Sequence, residues 1–463
     1  MSAPTIAGDV AALRDRLAGT VLVAGQDGYD DARTLFNATI DRRPAVIARC
    51  ATPADVAEAI AFGRAHDLAV SVRSGGHGVA GAALSDGGLV IDTRLMHDVH
   101  VDPVARTARV GGGANWGMVD RACQPHGLMT TGGRVTTTGV AGLTLGGGDG
   151  WLARGFGLAC DNLLAVELVT ADGRTVVASQ DEHPELFWAL HGGGGNFGVA
   201  TSLTFRLHEL PVTTFAILVY DPEDGEELVR RYRDLIESDA PDAFGGGLVY
   251  LTGPEEDFLP QRLVGRLTPA VVVVHAGQEP EARRLMAPLL DLGPAGQIVE
   301  ELPYAEVQGA LDDPPGYRNY WTAEHLTRLP DEAVTAFCRR ASDMVVPSPS
   351  QHALLPWGGA IAAQAGTWPI ANRDATWCVH PLGLWEDPAD DDRAIAWAKA
   401  VRADLAPYAA AGTYLNYTTD EGRDRTIAGF GGEANYRRLA AVKAEYDPDN
   451  VFRFNHNIEP ATA

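Results

Sequence analysis

Apolar residues along this chain fall into two spacings, and the switch between them marks out its elements. Toward the N-terminal side, short apolar runs bounded by turn residues predict strands over 45–49, 68–72 and 89–91. Between the first two, Thr52-Pro53 supplies an N-cap and a first-turn proline, and Val56, Ile60 and Ala61 share one helical face. The reading is a β-α-β unit whose second strand runs into Arg73-Ser74-Gly75-Gly76-His77-Gly78. A hairpin over 99–110, a helix over 115–123, a second hairpin over 163–178, a helix over 184–190 and a strand over 199–207 follow. Strand runs with interspersed helices argue for an α+β fold and against a doubly wound sheet.

After Pro211 the pattern lengthens. Helical spacing over 225–237, 280–290, 331–344 and 390–405 alternates with strand candidates over 215–220, 271–275 and 377–384. This reads as a second domain that supplies pocket walls. Tyr414-Leu415-Asn416-Tyr417, read as a strand, and the tail over 446–458 form a third, shorter stretch.

Composition sharpens the picture. The chain has 463 residues, 46% of them hydrophobic, enough for two or three domains with their own cores. Its 52 glycines exceed the usual share of about 7%, and they are densest in three tracts, 73–78, 132–150 and 192–198. Such loops expose bare backbone N–H groups that can wrap a phosphate, because glycine permits positive φ and removes the Cβ. On the first hexapeptide alone, an anion cradle and a plain turn with a surface histidine are equal readings.

A net charge of −24 argues against nucleic-acid and anionic-membrane partners. It does not argue against a nucleotide cofactor, whose pyrophosphate backbone N–H groups can hold. The five cysteines are odd in number, dispersed and never in a Cys-x-x-Cys pair, so they read as buried thiols in a reducing compartment. No apolar core follows Met1-Ser2-Ala3-Pro4 and no run has membrane length, which gives a cytoplasmic expectation.

Several familiar chemistries fail on context. Gly76, Gly78, Gly81 and Gly193, Gly195, Gly198 both match Gly-x-Gly-x-x-Gly, but the first leads into a turn and the second into a strand, where a dinucleotide fingerprint requires a helix. His97 and His100 have no companion ligands, so no metal is expected. There is no Gly-x-Ser-x-Gly elbow for a hydrolase.

What remains is three glycine tracts able to enclose a long, two-phosphate cofactor. The ordered set of Arg73 to His77, Thr138-Gly139-Val140-Ala141-Gly142-Leu143-Thr144-Leu145-Gly146-Gly147-Gly148-Asp149-Gly150-Trp151, Gly157 to Leu163 and Gly192 to Gly198 resembles the FAD domain of the vanillyl-alcohol-oxidase/p-cresol-methylhydroxylase superfamily. Tyr414-x-Asn416-Tyr417 and the tail from Tyr446 to Ile458 resemble its berberine-bridge-enzyme-like branch, in the bacterial type with one covalent link.

The resemblance implies an FAD-binding domain split between 1–210 and 411–463, with a substrate domain of antiparallel sheet and helices inserted at 211–410. It implies FAD bonded through His77 to the 8α-methyl, with no second link because Val135 stands where some relatives carry cysteine. The cofactor residues it implies are Arg73, Ser74, Gly75, Gly76, His77, Gly78, Thr137, Thr138, Gly139, Gly142, Leu143, Gly146, Gly148, Gly150, Val199, Asn455 and Asn457. Thr138, Val140 and Leu143 align with the wall beside the flavin C4a–N5 edge, where a small Val140 favours access of O2.

For catalysis it implies Tyr417 first and Tyr414 second as base, with Asn416 orienting one of them, and a phenol pKa near 10 would have to be lowered for phenolate chemistry at neutral pH. A buried core aromatic explains either tyrosine equally well. Tyr320-Trp321, His325, Trp357, His380 and Trp385 correspond to the substrate side, although Thr322-Ala323 replaces the Lys-Ser that relatives often carry after the tryptophan. The implied activity is hydride transfer from an alcohol, hydroxylated ring or amine of a small molecule, with O2 as acceptor and H2O2 as product. An oxygenase working through a flavin N5-oxide and a ligand-sequestering flavoprotein are the alternatives.

Overall fold

The computed structural model describes residues 6–238 and 240–462. The first unit opens with a four-stranded sheet in which Val46–Arg49 and Val70–Arg73 both run parallel to Leu89–Asp92, which lies between them. The two strands of the predicted β-α-β unit are thus separated by the third. Between them runs the helix Pro53–Ala65, capped by the Thr52 side chain on Asp55 N–H. It buries Val56, Ala59 and Ile60 against Val46, Ala48, Leu89 and Ile91.

Both predicted hairpins form, and Val199–Arg206 lies between them as the central strand of a five-stranded antiparallel sheet. The helix Trp116–Cys123 and the C-terminal helix Glu433–Tyr446 share one core with this sheet, so the end of the chain returns to its beginning.

The second unit is an antiparallel sheet of eight strands, with Thr213–Val219, Leu267–His275, Phe244–Thr252, Gln351–Pro356 and Trp377–Trp385 adjacent in that order. Its two faces differ because side chains alternate along each strand. Ala216, Leu218, Val271, Val273, Leu354 and Val379 pack under the helices Gly225–Ser238, Asp331–Ala341 and Asp391–Leu405. Ile217, Val219, Val272, Ala353 and Leu355 face the first unit instead.

Several predicted elements shift. The helix expected over 280–290 breaks at Met286 into Glu279–Leu285 and Ala287–Leu290, and that expected over 331–344 ends at Ala341. The segment expected as a strand around Tyr414 is a single 3-10 turn, Leu415–Tyr417. No helix among the described residues is long and apolar enough to cross a membrane. Met1 to Pro4, read above for a leader, lie outside the described residues.

Candidate active site

Between the two units lies a cavity of about 1140 Å³, larger than the ~300–1000 Å³ of an ordinary small-ligand pocket. Ser74 to Gly78, the loop around Gly139 and Gly142, Gly192 to Asn196 and Asn455 to Asn457 line one side, and the apolar face of the second sheet lines the other. A side chain added at Gly78, Gly142, Gly194 or Gly195 would meet nothing within 4 Å, so these bare backbones front open space. Asn455 and Asn457 line the cavity with amide oxygens that are buried and unpartnered in the protein. Glycine cradles and orphaned acceptors along an elongated cavity fit a dinucleotide whose rings carry N–H donors.

The first loop is braced from behind. Ser74 Oγ donates to Gly112 O at 2.9 Å. Arg73 does not line the cavity as expected; its guanidinium turns away and donates to the carbonyls of Ala32 and Thr34. His77 does line it, stacked on Phe36 with ring centroids 4.2 Å apart. Its Nε2 lies 2.8 Å from Thr137 Oγ1, and Nδ1 has no partner among the described residues. Burial pushes the imidazole down to about 4, so the ring is neutral at physiological pH.

Thr137 therefore acts on His77 and is not itself a wall residue. Thr138, Gly139, Gly142, Leu143 and Gly146 line the cavity, and so does Val135, which cannot form a thioether. Gly148, Gly150 and Val199, expected at the cofactor, lie behind the wall: Gly148 (φ +95°) has Ala159 against it, Gly150 packs on Gly132, and Val199 joins the core beside the helix Pro53–Ala65. Val140 is fully buried in the first unit's core and is not among the residues that line the cavity.

At the turn Leu415–Tyr417 the expected roles separate. Tyr414 is fully buried and its Oη accepts from the N–H groups of Gly148 and Asp149, bracing the glycine loop away from the cavity. Asn416 donates to Leu143 O at 2.9 Å and Tyr414 Oη at 3.1 Å, fixing the turn. Tyr417 lines the cavity, stacked on His380 at 4.1 Å, and donates from Oη to Asp149 Oδ2 at 2.9 Å. Burial, with the Asp149 charge adding to it, raises this phenol well above 10, opposite to what phenolate chemistry at neutral pH requires.

Of the residues expected on the substrate side, Trp321 and His380 line the cavity, and Tyr320, His325, Trp357 and Trp385 do not. Alternation along Arg318–Trp321 puts Tyr320 on the helix-covered face, under Lys399, and Trp321 at the cavity. His325 and Trp357 pack on each other behind Tyr414, with centroids 4.4 Å apart. His380 Nδ1 donates to Thr322 O at 2.9 Å, which leaves Nε2 unprotonated and unpartnered, and burial pushes the imidazole down to about 4.

Sequence reasoning passed over four groups. Asp149, buried at the cavity edge, accepts from Tyr417, from Arg134 Nη2 at 3.1 Å and from Trp357 Nε1 at 3.3 Å. Arg134 lies over the Trp151 ring; burial opposes its charge, but Asp149 more than offsets this and raises its pKa. Asp313 accepts from Gln351 Nε2 at 2.8 Å, and burial, with Asp312 beside it, pushes its carboxyl up to about 7. Lys443 is fully buried, donating to Asn196 O, Phe452 O and Asp447 Oδ2, and so ties the third glycine loop to the tail. The visible signal was the pair Arg134 and Asp149, two opposite charges inside the glycine tract 132–150.

A two-unit α+β fold clasping a long glycine-lined cavity suits a large nucleotide cofactor, and comparison with known proteins makes it an FAD-linked oxidoreductase. A model of the FAD binding domain matches residues 44–179, and one described as berberine and berberine-like matches 413–459. The chain is 32% identical to (R)-6-hydroxynicotine oxidase of Paenarthrobacter nicotinovorans, over 96% of this chain and 97% of the relative. The solved structure of 6-hydroxy-D-nicotine oxidase from Arthrobacter nicotinovorans matches all of both chains with a TM-score of 0.84 at 29% identity. A berberine-bridge-enzyme-like protein of Physcomitrella patens shares the fold, with a TM-score of 0.86 at 20% identity over 98% of this chain and 100% of its own. The chain belongs to the berberine-bridge-enzyme-like FAD-linked oxidoreductases of the vanillyl-alcohol-oxidase superfamily.

Proposed function

We propose that the chain is an oxidase that takes hydride from an alcohol, hydroxylated ring or amine of a small organic substrate, with FAD held covalently through His77. The observation that carries this reading is the single cavity in which His77, the glycine loops and an apolar sheet face meet. When bound, FAD supplies the hydride acceptor and passes the electrons to O2, giving H2O2.

Each side chain then has a task. Thr137 engages His77 Nε2 and leaves Nδ1 as the free, neutral nucleophile for the 8α link. Asn455 and Asn457 offer acceptors to the cofactor's rings. Val249, Val272, Ala353 and Leu355 cover the reacting face and exclude water, and Trp321 adds an aromatic surface for a ring substrate. Tyr417 and His380 meet the substrate's polar group, while Gln351 and Asp313 stand at the wall as a second polar contact. The close overall similarity to a nicotine-type oxidase supports an amine or hydroxylated heterocycle within this range.

Mixing the purified protein anaerobically with a panel of secondary amines, benzylic alcohols and hydroxylated heterocycles, then admitting O2, tests the reading. At least one class should bleach the flavin absorbance, and O2 should restore it with one peroxide per turnover. Reduced protein that fails to reoxidise would overturn the oxidase assignment.

A further inference from the structure

We propose that Asp149 is the terminal proton acceptor of the reaction, reached through the Tyr417 hydroxyl, which passes the proton on without becoming a phenolate. This rests on reading the cavity as an FAD oxidase site. The geometry has three parts. Tyr417 and Asp149 both line the cavity, and the phenol already donates to the carboxylate at 2.9 Å. The same oxygen of Asp149 accepts from Arg134 and Trp357, which hold it facing Tyr417. Tyr417 is fixed in its plane by stacking on His380, with 13° between the rings.

Among the groups facing the pair, Asp149 is the one that accepts from the Tyr417 hydroxyl. Tyr414 is already engaged by the glycine loop, Arg134 is a cation, and the buried Cys378 thiol is held protonated. His380 spends Nδ1 on Thr322 and keeps an unpartnered Nε2, but it presents its ring face to Tyr417, whose hydroxyl donates to Asp149 instead.

The step balances as follows. The substrate O–H (or N–H) bond breaks and its proton bonds to Tyr417 Oη, while the former Oη–H proton bonds to Asp149 Oδ2. The electron pair left behind forms the new C=O or C=N π bond as the C–H pair departs as hydride to FAD. Once hydride leaves, the substrate is a protonated carbonyl or iminium, a far stronger acid than the alcohol or amine, so a carboxylate suffices as acceptor. A phenol raised well above 10 would be the wrong base but is a sound conductor.

Asp149→Asn, Tyr417→Phe and the double variant test this, each first checked for yellow colour. Flavin reduction by substrate is followed anaerobically against pH, and the Tyr417 titration is followed in the same proteins by NMR of ring-labelled tyrosine. In the wild type the rate should be level from neutral pH to about 10, the range in which tyrosine stays protonated. Asp149→Asn should slow reduction by about 10²–10³-fold, and its residual rate should climb about tenfold per pH unit as phenolate must form. Its Tyr417 should titrate lower than in the wild type, because a negative neighbour has gone. The double variant should be no slower than the slower single one, as expected of groups acting as a unit. Yellow variants with a loss under about tenfold, or single losses that multiply, would overturn the relay alone. A colourless wild-type protein would remove the FAD reading and the relay with it.

Discussion

A histidine is a nucleophile only while its ring is uncharged, and the surroundings of His77 keep it so. Because burial lowers its pKa to about 4, the neutral form is complete above about pH 5 and is lost as pH falls through 4. Incorporation of flavin into the apoprotein, read as protein-bound colour after denaturation, should be independent of pH from 5 to 8 and fall below it. Thr137→Val removes the partner of Nε2 and should slow that incorporation several-fold without weakening reversible FAD binding. Gly148 makes a contrasting case. At φ +95° and with Ala159 Cβ only 2.4 Å from where its own Cβ would sit, Gly148→Ala should lower stability by about 1–3 kcal/mol, seen as a reduced thermal midpoint.

At the scale of elements, strand alternation in the second sheet decides which of its side chains face the cavity. Trp321→Ala should raise KM by about tenfold, roughly 1.4 kcal/mol, whereas Tyr320→Phe, one residue away on the other face, should leave KM within about twofold. This parity is what the sequence could not show for the substrate side, because the strand Arg318–Trp321 carries no apolar alternation of its own and its faces are set by pairing with Trp377–Trp385. The strand Phe244–Thr252 was illegible for a related reason. Its Gly245-Gly246-Gly247 reads as a loop, yet a Cβ on Gly246 would sit 2.0 Å from Val272 O of the next strand, so glycine is what permits the pairing. By contrast, the helix after Thr52 and both hairpins were legible, since caps, turns and alternation agree locally with the fold. The glycine tracts were legible as a cradle, but which members front the cavity depends on what packs behind each one. That is why Gly142 fronts the cavity and Gly148 does not.

Across the whole molecule, the site exists only because distant parts of the chain converge. The first glycine loop comes from residues in the seventies, the proposed relay joins Asp149 to Tyr417, and the third loop is tied to the tail by Lys443. Lys443→Met would leave Asp447 buried without its cation and should cost about 3–5 kcal/mol, with loss of FAD affinity as the tail detaches from Asn196. Thermal unfolding with and without added FAD checks both effects. The central claim is that this convergence grips a flavin and tethers it at His77. Acid precipitation of the purified protein, with the flavin absorbance of pellet and supernatant recorded, tests it most directly. Colour should stay in the wild-type pellet and pass to the supernatant in His77→Ala; a white wild-type pellet would contradict the tether.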